Sequence, residues 1–144
     1  HHILPKRINL EITETAESLS GMIHANIARL SEEGFSFSLD DFGTGYSNLM
    51  RTIELPISIV KLDKSLIGPA TRSTRAYDVL TDIVRINKEM GYETVVEGVE
   101  TEAESIMVQE MGCEHIQGFY YAKPMPRDEF LRFLHDRSRE KDDV

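Results

Sequence analysis

Only one cysteine, Cys113, occurs in the 144 residues. Its isolation excludes an internal disulfide and suits a reducing compartment. No apolar run approaches the ~18 residues that a membrane-crossing helix needs. The opening residues, His1-His2, carry neither an initiator Met nor a signal-peptide pattern. Basic residues are in deficit, 16 Lys and Arg against 25 Asp and Glu, for a formal net charge of −9. That balance argues against a nucleic-acid polymer as partner. It leaves room for a small anionic substrate, because bound cations can reverse the sign locally. A dinucleotide-binding glycine turn is missing too, since Gly43-Thr44-Gly45 has no third glycine at the required spacing. What remains, 40% hydrophobic and 28% charged, is an ordinary globular composition long enough for one domain with a core.

A short internal repeat organises the chain. Glu32-Glu33-Gly34-Phe35, Glu89-Met90-Gly91-Tyr92 and Glu110-Met111-Gly112-Cys113 each lead into a β-prone run. The glycine fits the left-handed position just past a helix end. Helical spacing precedes each one: Ile23, Ile27 and Leu30; Val79, Ile83, Ile86 and Met90; Ile106, Met107 and Met111. Thr101 and Glu104 have the spacing of a capping box. Strands are expected at 8–13, 35–40, 57–62, 93–97 and 114–118, and a last helix from about 127 to 138 with Phe130, Leu131, Phe133 and Leu134 on its apolar side. Alternating strands and helices imply a parallel sheet, in a doubly wound fold or a (β/α) barrel.

The polar residues fall at the ends of those strands: Glu11 and Glu14, Asp40 and Asp41, Lys61 and Asp63, Glu97 and Glu100, and Gln117. In parallel α/β folds this is the end that builds active sites. Asp40 and Glu97 each follow their repeat glycine by six residues, whereas Gln117 follows by five. In 35–40, Phe35, Phe37 and Leu39 share one face, while Ser36, Ser38 and Asp40 share the other. Converging carboxylates repel unless cations bind between them. A set without His or Cys suits Mg²⁺ or Mn²⁺ better than Zn²⁺. Two such ions are a standard device for hydrolysing a phosphodiester. Each acid taken singly is better explained as a helix N-cap, although capping does not require every strand to contribute one, and Lys61 alone as an ion-pair partner of Asp63 or Glu97. Such bland readings suffice for Cys113 as a small buried apolar residue, the methionines as core filler, and His24 and His135 as surface residues.

Five ordered strings carry a resemblance: LEITET at 10–15, DDFGTGYSNL at 40–49, IVKLDKSLI at 59–67, VEGVET at 96–101 and QGFYYAKPM at 117–125. Together they resemble the later motifs of EAL domains, the cyclic di-GMP phosphodiesterases, over essentially the whole chain. The resemblance implies a modified (β/α) barrel and hydrolysis of cyclic di-GMP to pGpG with Mg²⁺ or Mn²⁺. The fold class it implies for this chain is α/β, a partial TIM-type barrel of about five parallel strands alternating with helices. Residues 1–144 then form the C-terminal portion of a single EAL domain.

By the same resemblance, Glu11 and Asp40 are metal ligands, Asp40 bridging, and Asp41 and Glu97 serve the second ion. Lys61 and Glu97 act catalytically beside the attacking water. Gln117 and Asp63 border the substrate, and Glu14 steadies the DDFGTGYS loop. Leu62, Lys64 and the FYYAKP string depart mildly from the usual motifs. The family's Glu-Ala-Leu signature, its Asn metal ligand and a phosphate-binding Arg belong to earlier motifs, so the chain alone is expected to be inactive. Implied partners are cyclic di-GMP, another copy of the chain, and upstream regulatory or GGDEF-type domains. The implied location is cytoplasmic, or the cytoplasmic face of a membrane-tethered parent. The competing reading is a non-catalytic EAL module that binds cyclic di-GMP or a protein, and a further one is a functionally inert fragment.

Overall fold

The computed structural model describes residues 3–13, 21–44 and 55–142. Within them five strands form one parallel sheet in sequence order: β1 Asn9–Thr13, β2 Ser36–Phe42, β3 Ile59–Leu62, β4 Glu93–Glu97 and β5 His115–Gln117. The helices are α1 Gly21–Glu32, α2 Ile67–Ala70, α3 Thr74–Glu89, α4 Glu102–Glu110 and α5 Arg127–Asp142. Neighbours in sequence are neighbours in space throughout, the order that a strand–helix barrel follows.

The repeat glycines end their helices as the sequence predicts. Gly34, Gly91 and Gly112 have φ of 95°, 83° and 83°, a region that residues with a Cβ enter at a cost. Thr101 forms the expected capping box: its hydroxyl accepts from the Glu104 amide at 3.2 Å, and the Glu104 carboxylate accepts from the Thr101 amide at 3.0 Å.

One face of the sheet packs beneath the helices. Phe37, Leu39, Val60, Leu62 and Val96 are buried in one cluster with Leu80, Val84 and Val108. Burying each such side chain contributes about 1.5–3 kcal/mol. The α1 stripe is as expected, with Ile27 buried and Ile23 and Leu30 packed against the core, but those of α3 and α4 are turned by about one residue. Val79 and Ile106 are 53% and 50% exposed, while Leu80, Val84 and Val108 are buried. Apolar residues stand at 79, 80, 83, 84 and 86, so two adjacent stripes fit the helical period, and only packing on the sheet selects one. Met111 is buried as expected, but Met22 is 76% exposed and fills no core. On α5, Phe130, Leu131 and Leu134 are about half exposed, so the predicted apolar side is largely uncovered.

Strand β2 runs two residues further than expected, through Asp41 and Phe42, because its pairing with β3 shifts register between Leu39 and Phe42. Asp41 sits in that irregularity with φ of 57°. In a regular strand adjacent residues point to opposite faces. A bulge re-aims them, which removes the simplest objection to neighbouring acids serving one site.

Candidate active site

The strands end together. Thr13 pairs with Asp40, Lys61 with Val95 and Glu97 with Gln117, so the C-terminal ends of β1–β5 form one rim. At that rim the Lys61 ammonium contacts Glu11 Oε1 at 2.8 Å, Asp40 Oδ1 at 2.9 Å and Glu97 Oε1 at 2.8 Å. Carboxylates from β1, β2 and β4 therefore converge on a single point held by β3. The Lys61 side chain is only 12% exposed. Burial on its own pulls the lysine's pKa down, but the hydrogen bond it donates to Glu11 and the adjacent carboxylates of Glu97 and Asp40 outweigh it, and the pKa rises above the ordinary lysine value. The amine is a cation at any physiological pH.

The fit is imperfect at one corner. Asp40 Oδ1 lies within ion-pair distance of Lys61 yet is buried and accepts no hydrogen bond. Distance and hydrogen-bond direction disagree there: the ammonium has three N–H donors, yet none is aimed at this oxygen. Proximity still gives attraction, while the oxygen's acceptor capacity goes unused. Among the described residues no group of three or more His, Cys, Asp or Glu side chains is arranged as it stands to hold a metal ion, and the ammonium lies where the three acids meet. The donors are nonetheless all oxygens, with a buried acid oxygen unsatisfied, a set suited chemically to a hard divalent ion.

A cleft of ≈ 240 Å³ adjoins this cluster, lined by Asp63, Lys64, Glu97, Glu100, Gln117 and Phe119, with Gly98 and Gly118 in its wall. A side chain at Gly118 would overlap the backbone of Val99. That close approach lets Val99 donate to the Gln117 carbonyl at 3.2 Å and accept from the Tyr120 amide at 3.1 Å. Ser105 and Tyr121 share a 2.7 Å hydrogen bond, and Gln109 donates to Ser105 at 2.9 Å. The loop carrying Phe119 is thereby tied to α4. A larger apolar groove, ≈ 310 Å³ and lined by Leu66, Pro69, Ala76 and Val79 among others, shares no residue with the acid cluster.

The sequence-predicted residues fall into groups. Glu11, Asp40, Lys61 and Glu97 meet directly. Gln117 joins Glu97 in the cleft wall. Asp63 also borders the cleft, but its carboxylate accepts from the Ser65 amide at 2.8 Å and caps the short helical turn at 64–66. Hydrogen bonding to Ser65 holds its pKa below the usual carboxylate value. Asp41 lies in the β2 irregularity beside Asp40, and its backbone carbonyl accepts from Thr44. Glu14 lies outside the described residues. Cys113 is inert in character: its thiol donates to the Thr94 and His115 carbonyls, and burial pushes its pKa up. Sequence reasoning gave no role to Phe119, which is 56% exposed on the cleft with the Lys123 ammonium 5.7 Å from its ring centre. The available signal was an aromatic directly after Gln117-Gly118.

Comparison with known proteins places this geometry in context. The EAL domain family model matches residues 1–124. Cyclic di-GMP phosphodiesterase RocR of Pseudomonas aeruginosa is 36% identical over 138 residues, covering 92% of this chain and 34% of RocR. The bifunctional diguanylate cyclase/cyclic di-GMP phosphodiesterase MucR of the same organism is 35% identical over 132 residues, covering 91% of the chain and 19% of MucR. The chain thus spans about a third or less of these relatives' lengths. The solved MucR phosphodiesterase in complex with c-di-GMP superposes with a TM-score of 0.81 at 32% identity, over 89% of this chain and 52% of that one. Klebsiella pneumoniae BlrP1, solved as a manganese/cyclic di-GMP complex, gives 0.79 at 28% identity, over 85% and 31%. With a rim of acids around one lysine, and a family model spanning most of its length, this chain belongs to the EAL domain family.

Proposed function

We propose that the chain is the C-terminal portion of a single EAL domain whose intact form hydrolyses cyclic di-GMP to pGpG with Mg²⁺ or Mn²⁺. The observation that carries this reading is the convergence of Glu11, Asp40 and Glu97 on one point beside Lys61. Glu11, Asp40, Asp41 and Glu97 are the residues that would hold the cations. Such ions, when bound, lower the pKa of a bound water and stabilise charge on phosphate oxygens. The MucR and BlrP1 complexes support the ligand and the class of ion.

The chain's own contributions follow from its geometry. Lys61 keeps its proton on Nζ and offers a fixed positive charge to a phosphate or an attacking water. Glu97 stands between the cluster and the cleft, where it can orient that water. Gln117 presents an amide to the substrate at the same wall. Asp63 borders the cleft mainly by shaping the turn it caps.

The isolated chain is inactive on this reading, because five strands do not close the eight-stranded barrel that shields such a site. Its open edges and the exposed side of α5 favour association with another copy or with the rest of the domain. MucR's name supports regulatory or diguanylate cyclase modules upstream in the parent. No helix of the described residues is long and apolar enough to cross a membrane. The cytoplasmic location of the catalytic face rests on the family resemblance.

The test is pGpG release with Mn²⁺ by the intact parent domain and by its Asp40→Asn variant. Loss of one oriented ion costs several kcal/mol of transition-state stabilisation, so turnover should fall roughly a thousandfold or more. Unchanged turnover in Asp40→Asn would remove Asp40 from the metal site.

A further inference from the structure

We propose that the Lys61 ammonium is the resident counter-cation of the metal-free site, and that a divalent ion must displace it before the amine can serve a substrate. The proposal rests on reading the acid cluster as a metal centre.

The argument begins with space. Glu11, Asp40 and Glu97 each bring an oxygen to 2.8–2.9 Å of one nitrogen. An ion bound by those same oxygens, at about 2.0–2.1 Å for Mg²⁺, would have to sit nearly where the ammonium sits. Two cations so close repel more strongly than one of them is attracted by a single acid. The lysine must therefore swing away when the ion enters.

Three features make the displacement feasible. The ammonium serves Asp40 poorly, leaving Oδ1 without a hydrogen bond at 2.9 Å. A spherical ion has no donor directions to misalign, so it satisfies that oxygen better. One positive charge against three negative ones also leaves an excess that draws a divalent ion inward. Finally, the lysine's partner Glu97 also lines the cleft with Gln117, and a flexible four-carbon stem can follow it there. The displaced amine then faces the space where a phosphate would lie. Metal loading thus precedes and licenses the use of Lys61, and a metal-free site keeps its own lysine from the substrate.

Two measurements test this on the intact parent domain, which supplies the ligands that this chain lacks. Mn²⁺ affinity is titrated calorimetrically for the wild type, Lys61→Met and Lys61→Arg. Lys61→Met should bind Mn²⁺ about tenfold or more tightly than wild type, since a competing charge has gone, whereas Lys61→Arg should not. Separately, the rate of reductive methylation of Lys61 in the wild type, read by peptide mass spectrometry, should rise severalfold when Mn²⁺ is added. The labelling experiment needs no variant, so it decides the matter even where Lys61→Met fails to fold. Mn²⁺ binding by the wild type with no gain in Lys61→Met, or methylation unchanged or slowed by saturating Mn²⁺, overturns the counter-cation role alone. No Mn²⁺ binding by any of the three proteins overturns the metal centre and this proposal with it.

Discussion

The same face of β1 and β2 changes character over two residues. Near the start of these strands, Asn9 donates to Ser36 at 3.3 Å and accepts from Ser38 at 2.7 Å, while the Ser36 hydroxyl donates to the Ile8 carbonyl at 3.2 Å. Those neutral groups satisfy one another, even though Ser38 is 1% exposed. One step up the same alternation stand Glu11 and Asp40, whose compensating charge among the described residues comes from Lys61 on a third strand. The lower network is closed and needs nothing from outside. The upper cluster carries more acid than its lysine neutralises, and charge left over in a buried site is what recruits a cation. Stability is built at one end and binding capacity at the other.

This contrast predicts a graded set of effects. The largest belongs to the mouth. In the metal-free chain, Lys61→Met leaves three converging acids uncompensated and should cost about 3 kcal/mol in a urea melt. Breaking a buried pair costs about 3–5 kcal/mol, and the half-exposed Glu11 brings the figure to the low end. Saturating Mn²⁺ should restore most of the loss, because the ion replaces the missing charge. The raised pKa of Lys61 fixes the sign with pH. Its contribution is fully present below the unfolded lysine value of about 10.4 and declines only as pH rises from there through the folded value. A melt in which stability from this group already falls between pH 6 and 9 would contradict the ion-pair geometry. Asp40→Asn removes a partner of Lys61 together with a repelling charge, so the metal-free fold should gain no stability from it.

A smaller effect belongs to the base. Ser38→Ala deprives Asn9 Oδ1 of its donor and should cost about 1 kcal/mol. Mn²⁺ affinity should not change, and a loss of affinity would show that the two ends are coupled rather than independent. The smallest effect lies at Asp63. Its pKa is lowered, so its stabilising bond to Ser65 is present above the unfolded carboxylate value of about 3.9 and is lost as pH falls through the folded value. Asp63→Asn should flatten the acid limb of the stability profile below pH 4 slightly, with little change at neutral pH.

Much of the fold was legible because local chemistry decides it. Gly34, Gly91 and Gly112 mark helix ends through backbone sterics that no tertiary contact alters. Thr101 and Glu104 satisfy each other within one turn of helix. The parallel order of five strands follows from alternation of strand and helix, and the strand-end position of Glu11, Asp40, Lys61 and Glu97 follows from counting along each run. The boundaries missed by one or two residues, at β1, β3 and β5, depend on which hydrogen bonds a neighbouring strand completes. The β2 irregularity at Asp41 was illegible for the same reason, since register belongs to a pair of strands and not to either alone.

The sequence by itself determined the element types, the family motifs and the charge at the strand ends, because propensities and alternation act over a few residues. Tertiary structure alone decided which stripe of α3 faces the sheet, burying Leu80 and Val84 and leaving Val79 out. It also decided that Lys61, rather than any acid, stands at the meeting point of the rim. Both are questions of direction and distance between segments tens of residues apart, and such vectors exist only once the strands are docked side by side.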